Sequence, residues 1–271
     1  MNNVVTTVIR IHSISGLPLL ERAVQSLHAQ ADVVVQPVVV TQRFNSDELE
    51  SVERLVRRQW FFEGLPTPKL INFEDSGCDD VRSALLNVGI KEHFSAGNRY
   101  LGFLDYDDLL YTHAYRVLTG ALRDSMSVVA FATIEAAKAV ALHDYEFIYS
   151  ISAPYIGKGK LDLLKENFCP LHSYLVDTSK LDPAEVYFET RLTRLEDYDF
   201  LLRIAGRHPC NFTNLGTKIG LYFMRSDQSN STPEGVDTEA DREKRRVWQR
   251  NRDQLAAFRS GYEVKLFASD F

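Results

Sequence analysis

The stretch RYLGFLDYDDLLY, residues 99–111, carries three aspartates within four positions directly after an apolar run. The apolar run is typical of a buried strand, whereas neighbouring carboxylates repel one another unless a positive charge lies close by. A turn would explain them, because Asp side chains bond the nearby backbone and tolerate unusual backbone angles. A cation site is the alternative, since clustered carboxylate oxygens suit a hard divalent ion. The rest of the chain decides between the two.

Strand and helix patterns alternate on the amino-terminal side of this stretch. Apolar or β-branched runs predict four strands, over residues 4–11, 33–42, 68–75 and 99–105. Helices are predicted to begin near Leu19, at a capping box of Asn45 and Glu48, and at Asp80 as a third cap. Such alternation indicates βαβ units and a mostly parallel sheet, whose ligands lie outside the carboxyl ends of the strands. The aspartates fall at that edge, which favours the cation site.

The composition is that of an ordinary globular chain. Its 271 residues are 45% hydrophobic and 25% charged, enough for one large domain or two tight lobes. The first residues lack a signal-peptide pattern, and no apolar run approaches the roughly 18 residues of a membrane span, so we expect a soluble cytoplasmic protein. Three cysteines, far apart, predict neither a disulfide framework nor a zinc ribbon. A net charge of −6 argues against nucleic acid as a partner.

A second acidic element, RLEDYDFLLRIAG at 194–206, predicts a helix that opens with Glu196 and Asp197. Taken alone, these acids can be explained without a functional role. Carboxylates in the first turn of a helix are stabilised by the helix dipole, by a few tenths of a kcal/mol to about 1 kcal/mol. Between the two acidic elements, residues 112–123 predict a helix and residues 127–134 a strand. The second half of the chain therefore continues the sheet.

The order of these elements resembles that of the family 2 glycosyltransferases of the GT-A fold, over roughly residues 4–232. The most specific part, at 85–118, is similar to the family pattern of Asn-x-Gly-Ile, a spacer ending in Gly, an apolar strand and Asp-x-Asp-Asp. The matching residues are Asn87, Gly89, Ile90, Gly97, Asp105, Asp107 and Asp108. EDYDFLLRIA is similar to the family's E-D-x-D-L-x-x-R helix, and YFMRSDQSNS (222–231) to its Arg-x-His-x-x-Ser segment. The resemblance implies an α/β fold: a GT-A-like, Rossmann-related α/β/α sandwich with a mostly parallel central sheet and a C-terminal helical extension.

The resemblance also implies roles for individual residues. Asp105 and Asp107 would hold Mn²⁺ or Mg²⁺, with Asp227 standing where a His often completes the metal shell. Asp197 stands at the position of the catalytic base, which implies inversion at the anomeric carbon. The candidate donor-binding residues are His12, Arg43, Arg82, Asp105 and Tyr106. Ordinary surface or packing roles stay open for these residues other than Asp105, as they do for His172 in the expected acceptor region.

The chain departs from the family pattern at two strand ends. Thr41-Gln42-Arg43-Phe44 stands where the family has Asp-Asp-Gly-Ser, so the carboxylate that commonly reads the nucleotide base is missing. The first strand offers Arg10, Ile11 and His12 in place of the usual proline and tyrosine. The resemblance therefore does not predict which base the donor carries.

We predict one GT-A-like domain over residues 1–225, with a nucleotide-sugar-binding half (1–110) and an acceptor half (111–225). A flexible loop and a C-terminal helical extension follow over 226–271. Within the extension, TEADREKRRVWQRNRDQLAAF (238–258) predicts a basic helix with one apolar edge. A solvated helix packed by that edge is favoured. The alternatives are peripheral contact with the anionic inner face of a membrane and contact with a second copy of the chain in a homodimer.

The predicted function is inverting, metal-dependent transfer of a sugar from a nucleoside-diphosphate donor to a glycan or lipid-linked glycan acceptor. A place in surface polysaccharide biosynthesis follows from the family analogy alone. One alternative is a non-catalytic relative that binds a sugar nucleotide and acts as a partner or scaffold protein. The other, a sugar-phosphate nucleotidyltransferase, would need a Gly-rich basic loop after the first strand, but IHSISGLPLLER (11–22) has one Gly and no Lys.

Overall fold

The computed structural model describes residues 2–58, 64–75, 77, 80–142, 145–225 and 238–270. Within these residues the chain forms nine strands in one sheet, together with seven α-helices. The amino-terminal strands are β1 (Asn2–Ile11), β2 (Val35–Gln42), β3 (Lys69–Phe73) and β4 (Asn98–Asp105). They are mutually parallel, in the order β3-β2-β1-β4. Val- and Ile-rich sequences such as β1 and β2 suit strands that are covered on both faces.

Three helices connect these strands: α1 (Leu17–His28), α2 (Ser46–Arg57) and α3 (Arg82–Ala96). The predicted capping box at α2 is confirmed, because Asn45 Oδ1 accepts from Glu48 N and Glu48 Oε2 accepts from Asn45 N. The N-cap residue of α3 is Val81 and not the predicted Asp80, although Asp80 Oδ1 accepts from the backbone N–H of Arg82, the first residue of the helix, at 3.3 Å. Two guanidinium groups also bond the Asp80 carboxylate.

The second half of the chain extends the same sheet. Its strands are β5 (Leu109–Leu110), β6 (Val129–Ala141), β7 (Glu146–Ser152), β8 (Tyr174–Asp177) and β9 (Cys210–Arg225). Its helices are α4 (Ala114–Arg123), α5 (Lys160–Leu163), α6 (Glu196–Arg207) and α7 (Glu239–Arg259). The sheet continues from β4 through β8, β6 and β9 to β5, with β7 paired to β6. None of the helices in the described ranges is long and apolar enough to cross a bilayer.

Apolar side chains on the two faces of the sheet form two large buried clusters, and a third, smaller one joins β6 to β9. Along β1, Val8 belongs to one cluster, whereas Val5 and Ile9 belong to the other, as the alternation of a strand requires. Helix α3 approaches β1 most closely at Gly89, where an added Cβ atom would lie 2.3 Å from Val8 Cγ1. The glycine therefore lets α3 pack directly on the strand.

A buried ion pair fixes the chain end beyond α7. Lys160 Nζ donates to Asp270 Oδ2 at 2.9 Å, and both side chains are almost completely buried. The ammonium group also donates to the backbone oxygens of His208 at 3.1 Å and Lys265 at 2.8 Å. Because each of its three N–H donors has a partner, the buried charge is satisfied in the folded protein.

Candidate active site

Arg10 and Asp105 lie side by side where β1 and β4 end. The two residues are register partners in the parallel strand pair, and Arg10 Nε donates to Asp105 Oδ1 at 3.0 Å. Arg10 Nη1 donates to Glu196 Oε1, also at 3.0 Å. Burial alone would lower the pKa of the guanidinium, but the two carboxylates outweigh it and raise that pKa above its ordinary value. Arg10 thus joins the first acidic element to the second.

Helix α6 begins at the second acidic element, and α7 fixes the loop before it. Leu195 precedes the helix with a left-handed φ of 63°. The buried Asn251 of α7 accepts from the backbone N–H groups of Thr193 at 2.9 Å and Arg194 at 3.1 Å. These bonds satisfy donors of a loop that has no regular structure. Helix α7 therefore helps to set the position of Asp197.

The carboxylate of Asp197 is half-buried and has few partners. Its Oδ1 accepts from Tyr198 N at 2.8 Å, and its Oδ2 accepts from Asn167 Nδ2 at 3.2 Å. It forms no ion pair with any residue that the structure describes. Burial, followed by repulsion from Glu196, raises the pKa of Asp197 to about 7. A carboxylate with that pKa is well matched to accepting a proton near neutral pH.

Asp105 and Asp197 line the same cavity, which has a volume of about 630 Å³. Arg10, Arg82 and Glu196 also line it, so charged groups from β1, α3, β4 and α6 meet there. A volume of this size lies within the usual range for small-molecule sites. Helix α7 forms another part of the wall, through Trp248, Arg252, Leu255, Ala256 and Arg259.

Asp107, a predicted metal ligand, does not line this cavity. Its Oδ2 accepts from Arg225 Nη1 at 2.6 Å, and Arg225 Nε donates in turn to Glu146 Oε1 at 2.6 Å. Arg22 completes the network by bonding Glu146 and the backbone oxygen of Asp107. Burial and repulsion from Asp105 raise the pKa of Asp107, although Arg225 opposes the shift. The network anchors the loop after β4 to the end of β9.

Asp108 lines the cavity and also ties β4 to β9, because its Oδ1 accepts from Phe223 N at 2.9 Å. Its Oδ2 lies 3.6 Å from Nδ1 of the fully buried His172. Burial lowers the pKa of His172 to about 4, so the ring is neutral at pH 7. The contact is therefore not an ion pair near neutral pH.

The other predicted donor-binding residues divide into two groups. Arg82 lines the cavity, with Nη1 3.9 Å from Glu196 Oε1. His12, Arg43 and Tyr106 do not line it. Arg43 is bonded to Asp75 at the end of β3, the exposed His12 meets Tyr106 edge-on at 5.8 Å, and Tyr106 packs against Gly16. Asp227 and the predicted loop over 226–237 lie outside the described residues.

Asp105 and Asp107 fit a divalent cation that a substrate helps to bind. Their side chains are 25% and 28% exposed, and each shares one oxygen with an arginine. The other oxygen of each accepts no side-chain hydrogen bond from a described residue. No group of three or more His, Cys, Asp or Glu side chains within the described ranges is arranged to hold a metal. Mg²⁺ commonly takes one or two protein carboxylates together with substrate phosphates, so a pair of carboxylates is sufficient.

The fold is shared with solved glycosyltransferase structures. Residues covering 94% of this chain match 73% of S. aureus TarS 1-349 in complex with UDP-GlcNAc, at 13% identity and a TM-score of 0.61. Mannosyltransferase PcManGT from Pyrobaculum calidifontis, in complex with GDP-Man and Mn²⁺, matches over 96% of this chain and 65% of its own, at 13% identity and a TM-score of 0.60. GalNAc-T7 with UDP, GalNAc and Mn²⁺ matches over 95% and 50%, at 15% identity and a TM-score of 0.55.

These likenesses confirm the predicted GT-A-like fold. At identities of 13–15% they show the architecture alone. No protein-family model matches the chain, and no curated protein matches it in sequence. Membership of family 2 therefore stays a prediction.

Sequence reasoning did not select three features of the site. Arg10 was visible as a charged residue near the end of a β-branched strand, but its pairing with Asp105 depends on strand register. Nothing in the sequence marked Asn251 as important, because it is one polar residue in a helix that is rich in charged residues. The contribution of α7 to the cavity was also missed, since its apolar edge was interpreted as a packing surface, with a membrane or homodimer contact as the alternatives.

Proposed function

We propose that this chain is an inverting glycosyltransferase that moves a sugar from a nucleoside diphosphate to a hydroxyl group of a glycan or lipid-linked glycan. The observation that carries the proposal is the shared cavity of Asp105 and Asp197, in which Asp197 forms no ion pair with a described residue. The architecture supports it, because the structures with the same fold include proteins solved with UDP-GlcNAc and GDP-Man. Surface polysaccharide assembly would be the pathway that the family resemblance implies.

Asp197 would act as the general base. It accepts the proton of the acceptor hydroxyl while that oxygen bonds to the anomeric carbon. The bond from the anomeric carbon to the diphosphate breaks at the same time, and the diphosphate leaves with the electron pair. Attack from the face opposite to the leaving group inverts the anomeric carbon. General-base help of this kind contributes roughly 10²- to 10⁴-fold in rate.

Positive charge beside the leaving diphosphate would come from two sources. One source is the pair of arginines that line the cavity, Arg10 near the end of β1 and Arg82 at the start of α3. A divalent cation bound by Asp105 and Asp107 would offset charge on the diphosphate and act as a Lewis acid. Arg10 also holds Asp105 and Glu196 in place without a ligand, since it bonds both. The protein thus holds the acidic cluster together before the donor arrives.

A thermal-shift screen tests the proposal. The full chain is heated with UDP, GDP, dTDP and their sugar conjugates, each with and without Mn²⁺. We expect one nucleoside diphosphate to stabilise the protein only with Mn²⁺, by about 2.7 kcal/mol at a hundredfold excess over its dissociation constant. Release of nucleoside diphosphate from the matching sugar conjugate then measures turnover.

The outcomes separate the alternatives. Donor binding without hydrolysis or transfer across the whole panel would favour a non-catalytic sugar-nucleotide-binding protein. Binding of a nucleoside triphosphate and a sugar phosphate, with release of pyrophosphate, would favour a nucleotidyltransferase. If none of the nucleotides stabilised the protein, the proposal would be contradicted altogether.

A further inference from the structure

Helix α7 presents one face to the cavity, and this face carries an aromatic ring and two guanidinium groups. The lining residues Trp248, Arg252, Leu255, Ala256 and Arg259 follow the spacing of a single helical face. Leu255 is buried against the core, which fixes the helix against the domain. Trp248, Arg252 and Arg259 line the cavity together with Asp197 and Tyr198 of α6, and we refer to this set of residues as the α6–α7 wall. This wall is built from elements outside the predicted donor half.

The basic residues of α7 differ in how their charges are balanced. Arg245 pairs with Asp241 at 2.9 Å, and Arg246 and Arg250 pair with Glu243 at 3.3 and 3.4 Å. Arg252 forms no hydrogen bond or ion pair with any residue that the structure describes. Arg252 is therefore a cavity-facing cation without a carboxylate partner among the described residues.

Two further cations lie on the same wall. Arg259 Nη2 donates to the backbone oxygen of Leu164, so its charge is not offset by a carboxylate. Lys165 lines the cavity with its ammonium group 3.9 Å from Asp162, and Glu166 is the lining carboxylate nearest to it in sequence. Arg252 and Arg259 are thus the two arginines of this wall that have no carboxylate partner among the described residues, although the whole chain carries a net charge of −6.

We propose that the α7 side of the cavity is the acceptor subsite and that the acceptor is an anionic saccharide. Arg252 and Arg259 would bind a phosphate or carboxylate group of the acceptor, because guanidinium groups match the geometry of both anions. Trp248 would pack against an adjacent sugar ring. Asp197, on the same cavity wall, would receive the proton of the acceptor hydroxyl. This inference rests on the proposed function and adds the substrate class to it.

Probes that differ only in charge or in the attached lipid test this inference. The full chain is saturated with the nucleoside diphosphate that stabilises it most, or used alone if none does, and binding is measured by calorimetry. The probes are glucose, glucose 6-phosphate, glucuronic acid and glucose linked to citronellyl diphosphate. We expect the anionic probes to bind at least about tenfold more tightly than glucose, which corresponds to 1.4 kcal/mol. The tightest of the three then identifies a soluble phosphate, a carboxylate or a lipid diphosphate as the source of the charge.

Arg252→Ala and Arg250→Ala form a matched pair on the same helix. Both side chains are exposed, so neither change is expected to disturb folding, which is checked by the thermal transition. Arg252→Ala should remove the preference for the anionic probes and leave the affinity for glucose unchanged. Arg250→Ala should leave both unchanged. Trp248→Ala should weaken glucose and the anionic probes by the same factor.

Equal binding of glucose and all anionic probes, or equal loss of the preference in both arginine variants, would overturn the inference. Nucleotide binding and donor turnover report separately on the proposed function. A protein that turns over a sugar nucleotide but shows no anion preference would contradict only the acceptor assignment. Anion preference without any nucleotide binding would contradict the proposed function instead.

Discussion

Replacement of Asp197 by Asn should stabilise the protein at alkaline pH while it removes turnover. The half-buried carboxylate lies beside Glu196, and its pKa is raised from 3.8 to about 7. A raised pKa means that the folded protein binds this proton more tightly than the unfolded chain does. The native state therefore loses stability as the pH rises from about 4 to about 7, and the loss remains above pH 7. Asn keeps the shape of the protonated acid and does not titrate.

The size of the effect follows from the shift. About 3 pKa units at 1.36 kcal/mol each give an upper limit of about 4 kcal/mol. Because the carboxylate borders a cavity that water enters, we expect about 1 to 3 kcal/mol. Asp197→Asn should exceed the wild type in free energy of unfolding by that amount at pH 8, and the two proteins should converge at pH 4. Wild-type turnover should rise with pH through about 7 as the base ionises.

Urea denaturation at pH 4, 6 and 8 measures the stability difference without any substrate. Glu189→Gln is the control of opposite sign, because hydrogen bonds from Arg191 lower the pKa of Glu189. That variant should lose stability at pH 8 relative to the wild type. If Asp197→Asn were less stable than the wild type at pH 8, or if its difference did not change with pH, the environment described for Asp197 would be wrong. Turnover within tenfold of the wild type would refute its role as the base.

Substitutions at three further contacts, with their controls, test the structure by urea denaturation. Arg10→Gln should destabilise the protein by about 3 to 5 kcal/mol at pH 7, because two carboxylates would be left without their shared cation. Lys160→Met should cost a similar amount by leaving Asp270 buried and unpaired, and the double variant with Asp270→Leu should recover part of the loss. Gly89→Ala should cost about 1 to 3 kcal/mol by overpacking α3 against β1, whereas Gly120→Ala in α4, where an added Cβ meets no atom within 4 Å, should stabilise by about 0.5 to 1 kcal/mol.

Each of these expectations has a clear contrary result. An Arg10→Gln variant as stable as the wild type would mean that Arg10 does not hold the acidic cluster together. If Lys160→Met with Asp270→Leu were less stable than Lys160→Met alone, the buried pair would not account for the loss. Equal effects at Gly89 and Gly120 would show that helix propensity, and not close packing on β1, decides the outcome.

The sequence predicted the strands and helices of the amino-terminal part well because their signals are local. Alternating apolar strands and amphipathic helices depend on neighbouring residues, so four strands and the capping box at Asn45 were found in place. The two acidic elements were also local, and their order along the chain suggested that they meet. Asp105 and Asp197 do line one cavity.

The parts that could not be predicted depend on residues far apart in the chain. Asp107 was predicted to hold a cation together with Asp105 and Asp227, and nothing in the sequence indicated that Arg225, 118 positions later, bonds its carboxylate. The pairing of Arg10 with Asp105 depends on the register between β1 and β4, which periodicity does not determine. Likewise, the sequence of α7 shows an apolar edge but not what lies beyond it. Only the packed fold reveals that Trp248 and Arg252 face the cavity.

Calorimetric titration of one nucleoside diphosphate with Mn²⁺ into three proteins, together with turnover of its sugar conjugate, tests the central claim most directly. The proteins are the wild type, Asp105→Asn and Asp197→Asn. The account predicts that Asp105→Asn weakens binding by at least about tenfold, or 1.4 kcal/mol. Asp197→Asn should bind like the wild type and lose turnover. Binding unchanged in Asp105→Asn, with turnover retained in Asp197→Asn, would show that this cavity is not where the sugar is transferred.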